Sequence, residues 1–217
     1  MILNTGGRTD TVNYFSEWLL NRFAAGYAYS RNPFHPDVVN RIDLNPETID
    51  VVEFCSKNYR PILSRLHEIT ERFNCHFHYT ITAYDKDIEP NVPGIDESIE
   101  TLRDLSAQVG KEKIIWRYDP VLLTGKYTIE RHFATFDYMA GRIAPYVSRC
   151  VFSFVVWYKK LHLPELQPIS GQQKELIAKG LGEMAAKRHL YIQTCGTKES
   201  YEQYGIHHSG CMTRAVY

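Results

Sequence analysis

The sequence predicts an α/β protein: a parallel TIM-barrel-like (β/α) barrel that is incomplete, with about seven βα units. First, apolar runs of strand length alternate with helical patterns along the 217 residues, and such alternation implies a parallel sheet. Second, no linker or composition shift interrupts the chain, so residues 1–217 are expected to form a single domain. Third, the strand interiors are apolar and the glycine-rich dinucleotide fingerprint is absent, which favours a barrel over an open doubly wound sheet.

The first half of the chain supplies three predicted strands and two predicted helices. A polar loop, NTGGRTD, precedes a helix expected from Thr11 to Ala25, and Gly26 is its expected stop. The segment YAYSRNPF is predicted as a short strand, followed by an extended stretch, VVNRIDLNP. The strand VVEFCSKN at 51–58 comes next, then a helix from Pro61 to Phe73 and the strand CHFHYTITAY at 75–84.

The second half continues the alternation after a loop, DKDIEPNVPGID. Helices are expected at Glu97–Val109, Thr128–Tyr146 and Gly171–His189. Each of these helices is followed by a predicted strand, and these strands begin at Ile114, at Arg149 (RCVFSFVVWY) and at Leu190 (LYIQTCG). The tail, ESYEQYGIHHSGCMTRAVY, has no clear periodicity, so no element is predicted there.

Composition limits the classes of function. Lys plus Arg and Asp plus Glu both number 25, so no overall charge favours nucleic acid or an anionic membrane as a partner. The N-terminus lacks the pattern of a signal peptide, and no apolar run reaches the length of a membrane span. Five scattered cysteines argue for reduced thiols rather than a disulfide framework, which leads us to expect a cytoplasmic protein.

Polar side chains recur directly after the apolar strands. In a parallel barrel the carboxyl ends of the strands meet at one face, where function resides. We therefore expect these residues to form a polar pocket that binds a substrate, a cofactor or another small anionic molecule. The candidates are Arg8, Asp10, Arg31, Asn32, Lys57, Asn58, Thr82, Arg117 and Asp119.

Arg117 and Asp119 lie two positions apart on a predicted strand, within the string WRYDP, so they can share one face of it. One interpretation is an ion pair that closes an end of the barrel. The other is an arginine clamp for a carboxylate or phosphate, with the aspartate fixing the planar guanidinium. Arg8 and Asp10 repeat the spacing, and both interpretations apply to them as well.

His76 and His78 also alternate along one strand, which predicts that both imidazoles point to the same face. This pattern permits a divalent metal, so a metal-dependent barrel hydrolase or lyase that uses them with an acid such as Asp119 is an alternative. Against it, the pair lies near the start of the strand and no acidic ligand follows closely. A group in the tail, HHSGC at 207–211, is attributed to chance clustering, and no serine-hydrolase elbow is present.

Several uncommon strings resemble an uncharacterised prokaryotic family, domain of unknown function 1848. They occur in the family's order and are GRTD, RNPF, FCSKNYRP, TITAYDKDIEPNVP and WRYDPVLLT, with RCVFSFV and YGIHHSGC later in the chain. Two positions depart from the family's pattern. Gly6-Gly7 precede Arg8 where the family tends to have Ser-Arg, and Cys55-Ser56 stand where Trp-Thr is common.

The resemblance implies more than the composition does. The family usually continues into a C-terminal cysteine cluster similar to the iron–sulfur motif of radical S-adenosylmethionine enzymes, so a [4Fe–4S] cluster and S-adenosylmethionine are possible for the full-length family. The sequence ends at Tyr217 without that cluster, and the spacing of Cys195 and Cys211 does not make them its ligands. If Tyr217 were the natural end, radical chemistry would not be expected. A third alternative is a non-catalytic barrel that binds a small anion or a partner.

Overall fold

The structure is a computed structural model that describes residues 1–157, 163 and 165–210. The chain divides into two compact units, Met1–His78 and Tyr79–Tyr217. Seven strands make up one sheet, in the order β1-β4-β5-β6-β7-β8-β9. The α/β class and the parallel sheet expected from the sequence are therefore confirmed, whereas the single domain over 1–217 stays a prediction.

The first unit begins with β1 (Ile2–Asn4), α1 (Thr11–Tyr14) and α2 (Ser16–Ala25). It continues with β2 (Tyr27–Arg31), β3 (Val39–Asp43) and β4 (Val51–Ser56). A 3₁₀ turn (Leu63–Arg65), α3 (His67–Thr70) and β5 (Cys75–Thr80) follow, and β5 crosses into the second unit. β1 pairs in parallel with β4, which places the loops after both strands side by side.

Three local features of this unit differ from the sequence expectations. The first helix is interrupted at Phe15 (φ −136°, ψ 31°), although it stops at Gly26 in the left-handed conformation as predicted. The helix expected from Pro61 to Phe73 is instead a 3₁₀ turn at Leu63–Arg65 followed by the short helix His67–Thr70. The buried residues Ile62, Leu66 and Ile69 recur every three or four positions, a spacing that fits short helical turns as well as one continuous helix. The segments at 27–31 and 39–43 pair antiparallel as a separate hairpin.

The core of the first unit lies on one face of β4 and β5. Phe54 and Phe77 stack with ring centroids 5.2 Å apart, and Phe23 of α2 packs on Phe73 at 5.1 Å. Because side chains alternate along a strand, packing Phe54 toward this core turns Glu53 and Cys55 to the opposite face. The same alternation turns His76 and His78 away from Phe77.

The second unit holds α4 (Ile95–Val109), β6 (Ile114–Val121), α5 (Ile129–Ile143) and β7 (Arg149–Phe154). It ends with α6 (Gly171–Ala186), β8 (Ile192–Thr194), a 3₁₀ turn (Glu202–Tyr204) and β9 (His207–His208). The pairings β6–β7, β7–β8 and β8–β9 are parallel. The short strands β1 and β9 lie in segments where the sequence predicted no element.

Helix starts in the second unit follow the capping residues in the sequence. Thr128 caps α5, and its side chain accepts from the backbone N–H of Arg131. Ser170 and Gln173 form a reciprocal capping box at α6. Trp116 on β6 stacks against Phe136 of α5 at 5.0 Å, which sets the core face of that strand. Among the described residues no helix is both long and apolar enough to cross a membrane.

Candidate functional site

Asp10 organises the polar cluster at the carboxyl ends of β1 and β4. Its carboxylate accepts hydrogen bonds from the Ser56 hydroxyl at 2.8 and 2.9 Å and from the Lys57 backbone N–H at 3.0 Å. It also accepts from the Asn13 backbone N–H at 2.9 Å, which caps α1. Asn58 joins the cluster through its amide, which donates to the Asn13 side chain at 2.9 Å. The sequence-predicted residues Asp10, Lys57 and Asn58 therefore do lie together.

Replacing Asp10 with Ala is expected to lower the free energy of unfolding by about 2 kcal/mol, because one carboxylate serves a helix cap and the turn after β4. Urea denaturation followed by circular dichroism measures this change. Asp10→Asn keeps one acceptor oxygen and is expected to lose less than Asp10→Ala. Equal stability of Asp10→Ala and the unmodified chain would show that this cluster does not hold the two loops together.

Arg8, Arg31 and Asn32 lie in the same unit but have other partners. The Arg8 guanidinium donates to the backbone carbonyl of Arg31 at 2.7 Å, which joins the loop after β1 to the end of β2. The Asn32 side chain accepts from the backbone N–H groups of Phe34 and His35, at 2.9 and 3.3 Å. Asn32 thus shapes the hairpin turn. The spacing of Arg8 and Asp10 does not lead to an ion pair between them: Arg8 is held by a carbonyl and Asp10 by hydrogen-bond donors.

The two departures from the resembled family, Gly6-Gly7 and Cys55-Ser56, contact each other through Gly6 and Cys55. A Cβ atom added at Gly6 would lie 2.8 Å from Cβ of Cys55 and 3.0 Å from its carbonyl oxygen, so the two positions are packed against each other. A Cβ atom at Gly7 would meet nothing within 4 Å. Gly6 therefore depends on its lack of a side chain, whereas Gly7 has room for a serine.

His78 contacts Glu53 across β4 and β5, and both side chains are buried, at 1% and 0% exposure. His76 lies on the same face and is also buried. The prediction that the two histidines share a face is thus in keeping with the strand, and Glu53 is an acidic neighbour that sequence reasoning missed. The described residues nevertheless contain no group of three or more His, Cys, Asp or Glu side chains that could hold a metal ion.

Arg117, Asp119 and Ser153 form a second polar group, on the face of β6 and β7 opposite the one that packs on α5. The Arg117 guanidinium is paired with the Asp119 carboxylate, which also accepts from the Ser153 hydroxyl. Both charged side chains stay partly accessible, at 25% and 14% exposure. The shared face of Arg117 and Asp119 follows from strand alternation as predicted. β6 continues through Pro120 to Val121.

The neighbouring strands add further polar side chains to the second unit. Arg149 at the start of β7 donates to the Gln193 side chain on β8 at 3.2 Å, and Gln193 is fully buried. Thr82, which follows β5, donates to the Glu89 carboxylate at 2.9 Å and is buried. Thr82 therefore fixes its own loop.

Tyr118 points the other way from Arg117 and enters the core. Its hydroxyl lies 2.6 Å from Nδ1 of His132, and Nε2 of His132 lies 2.8 Å from the carbonyl oxygen of Leu122. Because a carbonyl only accepts, Nε2 carries the proton and Nδ1 accepts from the phenol. Burial lowers the pKa of His132 and raises that of Tyr118 well above its usual range. Both groups are therefore neutral at physiological pH.

Stability is expected to fall as the pH decreases below about 6.5, the ordinary pKa of an imidazole. The folded-state pKa of His132 is lowered, so the unfolded state takes up the proton first and the stabilisation is lost as the pH falls toward the folded-state pKa. Urea midpoints between pH 7 and 5 measure this, with a limit of about 1.4 kcal/mol per pH unit for one proton. His132→Gln should flatten the dependence, and the exposed His35→Gln should not. An unchanged slope in His132→Gln would contradict the assignment.

Four polar residues that sequence reasoning missed are Glu53, Gln193, Ser153 and His132. Glu53 interrupts the apolar run VVEFC, and Ser153 interrupts CVFSF. A single polar residue in an apolar run is therefore the signal that could have found both. His132 carries no such signal, because it lies in an amphipathic helix where polar residues are common.

One known protein family matches nearly the whole chain. The family model described as "Domain of unknown function (DUF1848)" matches residues 2–217. The chain belongs to this family. The resemblance seen in its strings is confirmed. Among curated proteins, no sequence matches it significantly.

Among solved structures, the chain is similar to the crystal structure of HydG, a maturase of the [FeFe]-hydrogenase. The TM-score is 0.51 at 10% sequence identity, and the match covers 95% of this chain. It covers 44% of the HydG chain, so this chain spans less than half the length of that protein. At this identity the likeness concerns the fold.

The iron–sulfur cluster implied for the full-length family finds no ligands among the described residues. Such clusters are held by cysteine thiolates. Cys75 and Cys150 are fully buried, burial raises the pKa of the Cys150 thiol, and the Cys75 thiol donates to the carbonyl of Phe73 at 3.3 Å. Cys55 and Cys195 are partly exposed and belong to no metal-binding group of the described part. Cys211 lies outside the described residues.

Proposed function

We propose that this chain is the incomplete (β/α) barrel of an enzyme family that works with an iron–sulfur cluster, and that it binds a small anion on the face of β6 and β7 that carries Arg117, Asp119 and Ser153. The strand order supports the barrel: apart from β2 and β3, which pair separately, each strand lies beside the next along the chain. A doubly wound sheet would instead reverse its order at a switch point. The likeness to HydG, a maturase of the [FeFe]-hydrogenase, is consistent with such a fold.

We infer the anion site from the Arg117–Asp119–Ser153 group. A guanidinium presents its N–H donors in a flat fork, which suits the two oxygens of a carboxylate or phosphate. Asp119 contacts one edge of this fork and is itself held by Ser153, so the guanidinium is oriented before a ligand arrives. Preorganisation of this kind raises affinity because less freedom is lost on binding.

The iron–sulfur cluster has no set of ligands in the described part of this chain, so the described residues are given no role in a reaction step. The proposal concerns what the barrel binds. The metal-dependent hydrolase remains a weaker alternative, because His78 contacts Glu53 but the described residues supply no group of three ligands. The non-catalytic alternative shares the same anion site and differs from the enzyme only in turnover.

Replacing Arg117 with Ala is expected to weaken the binding of small oxyanions about 10- to 150-fold, since a hydrogen bond to a charged group contributes about 1.5–3 kcal/mol. Isothermal titration with inorganic phosphate, sulfate and malonate measures the affinities. Arg117→Lys keeps the charge but loses the fork of N–H donors. Its oxyanion affinity should lie between that of the unmodified chain and that of Arg117→Ala.

Arg103→Ala is the matched control, because Arg103 lies on α4 over the ring of Tyr146 and its loss should leave these affinities unchanged. Circular dichroism checks that each variant is folded. Unaltered oxyanion binding in folded Arg117→Ala would refute the anion site. The barrel itself would not be affected by that outcome.

A further inference from the structure

The first unit contains a cavity of about 720 Å³ that the anion site above does not include. It lies between the loop after β1, the helix α2 and the β2–β3 hairpin. All of its described lining residues belong to the first unit. A volume of this size is in the range of sites for small organic molecules.

Large apolar side chains form much of the cavity lining. Phe15 and Trp18 line it and are 50% and 48% exposed, which is high for rings of this size. Tyr29 of the hairpin also lines it and is exposed. Exposed large rings that line one cavity are typical of a ligand site.

Three arginines share the lining: Arg8, Arg22 and Arg31. No aspartate or glutamate occurs among the described residues around the cavity. The Arg8 guanidinium donates to the backbone carbonyl of Arg31 at 2.7 Å, so it is held at the rim. The Nε atom of Arg22 is buried, and none of the described residues accepts a hydrogen bond from it. The cavity is thus cationic and has an unused donor.

We propose that this cavity binds an amphipathic organic anion: an aromatic or acyl body against the rings, and a carboxylate or phosphate among the guanidinium groups. Arginine is suited to both head groups because its fork matches their oxygens. An anion also offsets the mutual repulsion of three like charges that no lining carboxylate neutralises. Phe15 and Trp18 then bury surface that is otherwise in contact with water.

Titration of the full chain with 2-naphthoate tests the proposal. The neutral 2-naphthalenemethanol probes the apolar half alone. Inorganic phosphate probes the charged half alone, and it is titrated into Arg117→Ala so that the anion site proposed above does not contribute. We expect 2-naphthoate to bind at least ten-fold more tightly than either. Arg22→Gln and Arg31→Gln should each weaken 2-naphthoate at least ten-fold, or about 1.4 kcal/mol. Arg60→Gln, which is exposed and outside the lining, should not.

Fluorescence locates the binding event. Trp18→Phe should abolish the change in tryptophan emission on adding 2-naphthoate, while Trp157→Phe in the second unit should retain it. The proposal would be overturned if 2-naphthoate bound no more tightly than the neutral alcohol. It would also be overturned if 2-naphthoate bound both arginine variants as tightly as the unmodified chain. Phosphate that binds as tightly as 2-naphthoate would overturn its apolar half. Arg117→Ala should leave 2-naphthoate affinity unchanged, so this test and that of the anion site are independent.

Discussion

Replacing His78 with Leu is expected to lower the free energy of unfolding by about 1–3 kcal/mol, the range found when a buried polar group loses its partner. The imidazole contacts the carboxyl group of Glu53, and neither side chain is accessible to water. Removing the imidazole takes a neighbour from a carboxyl group that cannot turn to solvent. Urea denaturation monitored by circular dichroism measures the loss.

A double-mutant cycle separates the pair from simple packing. Glu53→Met alone should also destabilise the chain, because it removes the partner of a buried imidazole. The double variant Glu53→Met, His78→Leu should be more stable than the sum of the single effects predicts, since two apolar side chains can replace a buried pair at little cost. Strictly additive losses would show that the two groups are not coupled. The exposed His67→Leu is the matched control and should change stability by less than about 0.5 kcal/mol.

The Glu53–His78 pair shows where sequence reasoning ends. The alternation of His76 and His78 predicts that both lie on one face of β5, because period two is a local property of a strand. Which residue of another strand meets that face depends on register, and the register of parallel strands is set by contacts distant in sequence. Glu53 was therefore left out of the candidate site although the chain places it against His78.

The polar residues after the strands illustrate the same limit. Asp10 and Lys57 meet because β1 and β4 are parallel neighbours, and the sequence predicts a parallel sheet from its alternating pattern. Arg8 follows the same strand as Asp10, yet it binds a carbonyl of the hairpin that the sequence did not predict to pair. A strand-end position thus predicts the neighbourhood of a side chain, while its partners depend on where the following loop leads.

Replacing Trp116 with Ala is expected to cost about 3–5 kcal/mol, the range for removing a buried Trp or Phe side chain. Trp116 is fully buried, stacks on Phe136 at 5.0 Å and donates from Nε1 to the carbonyl of Ile81 at 2.9 Å. For a chain of this size the melting temperature should fall by about 2–4 °C per kcal/mol. Trp157→Ala removes an exposed ring and should leave the melting temperature nearly unchanged.

Trp116→Phe distinguishes the ring from its hydrogen bond. It retains much of the stacking on Phe136 but leaves the Ile81 carbonyl without this donor, so a loss of about 1–2 kcal/mol is expected. Arg117 lies between Trp116 and Tyr118, whose rings both pack on Phe136. The core face of β6 therefore fixes the backbone from which the guanidinium projects. Folded Trp116→Phe should therefore keep the oxyanion affinity of the unmodified chain. If its oxyanion affinity fell as far as that of Arg117→Ala, the position of Arg117 would depend on the Trp116 ring itself.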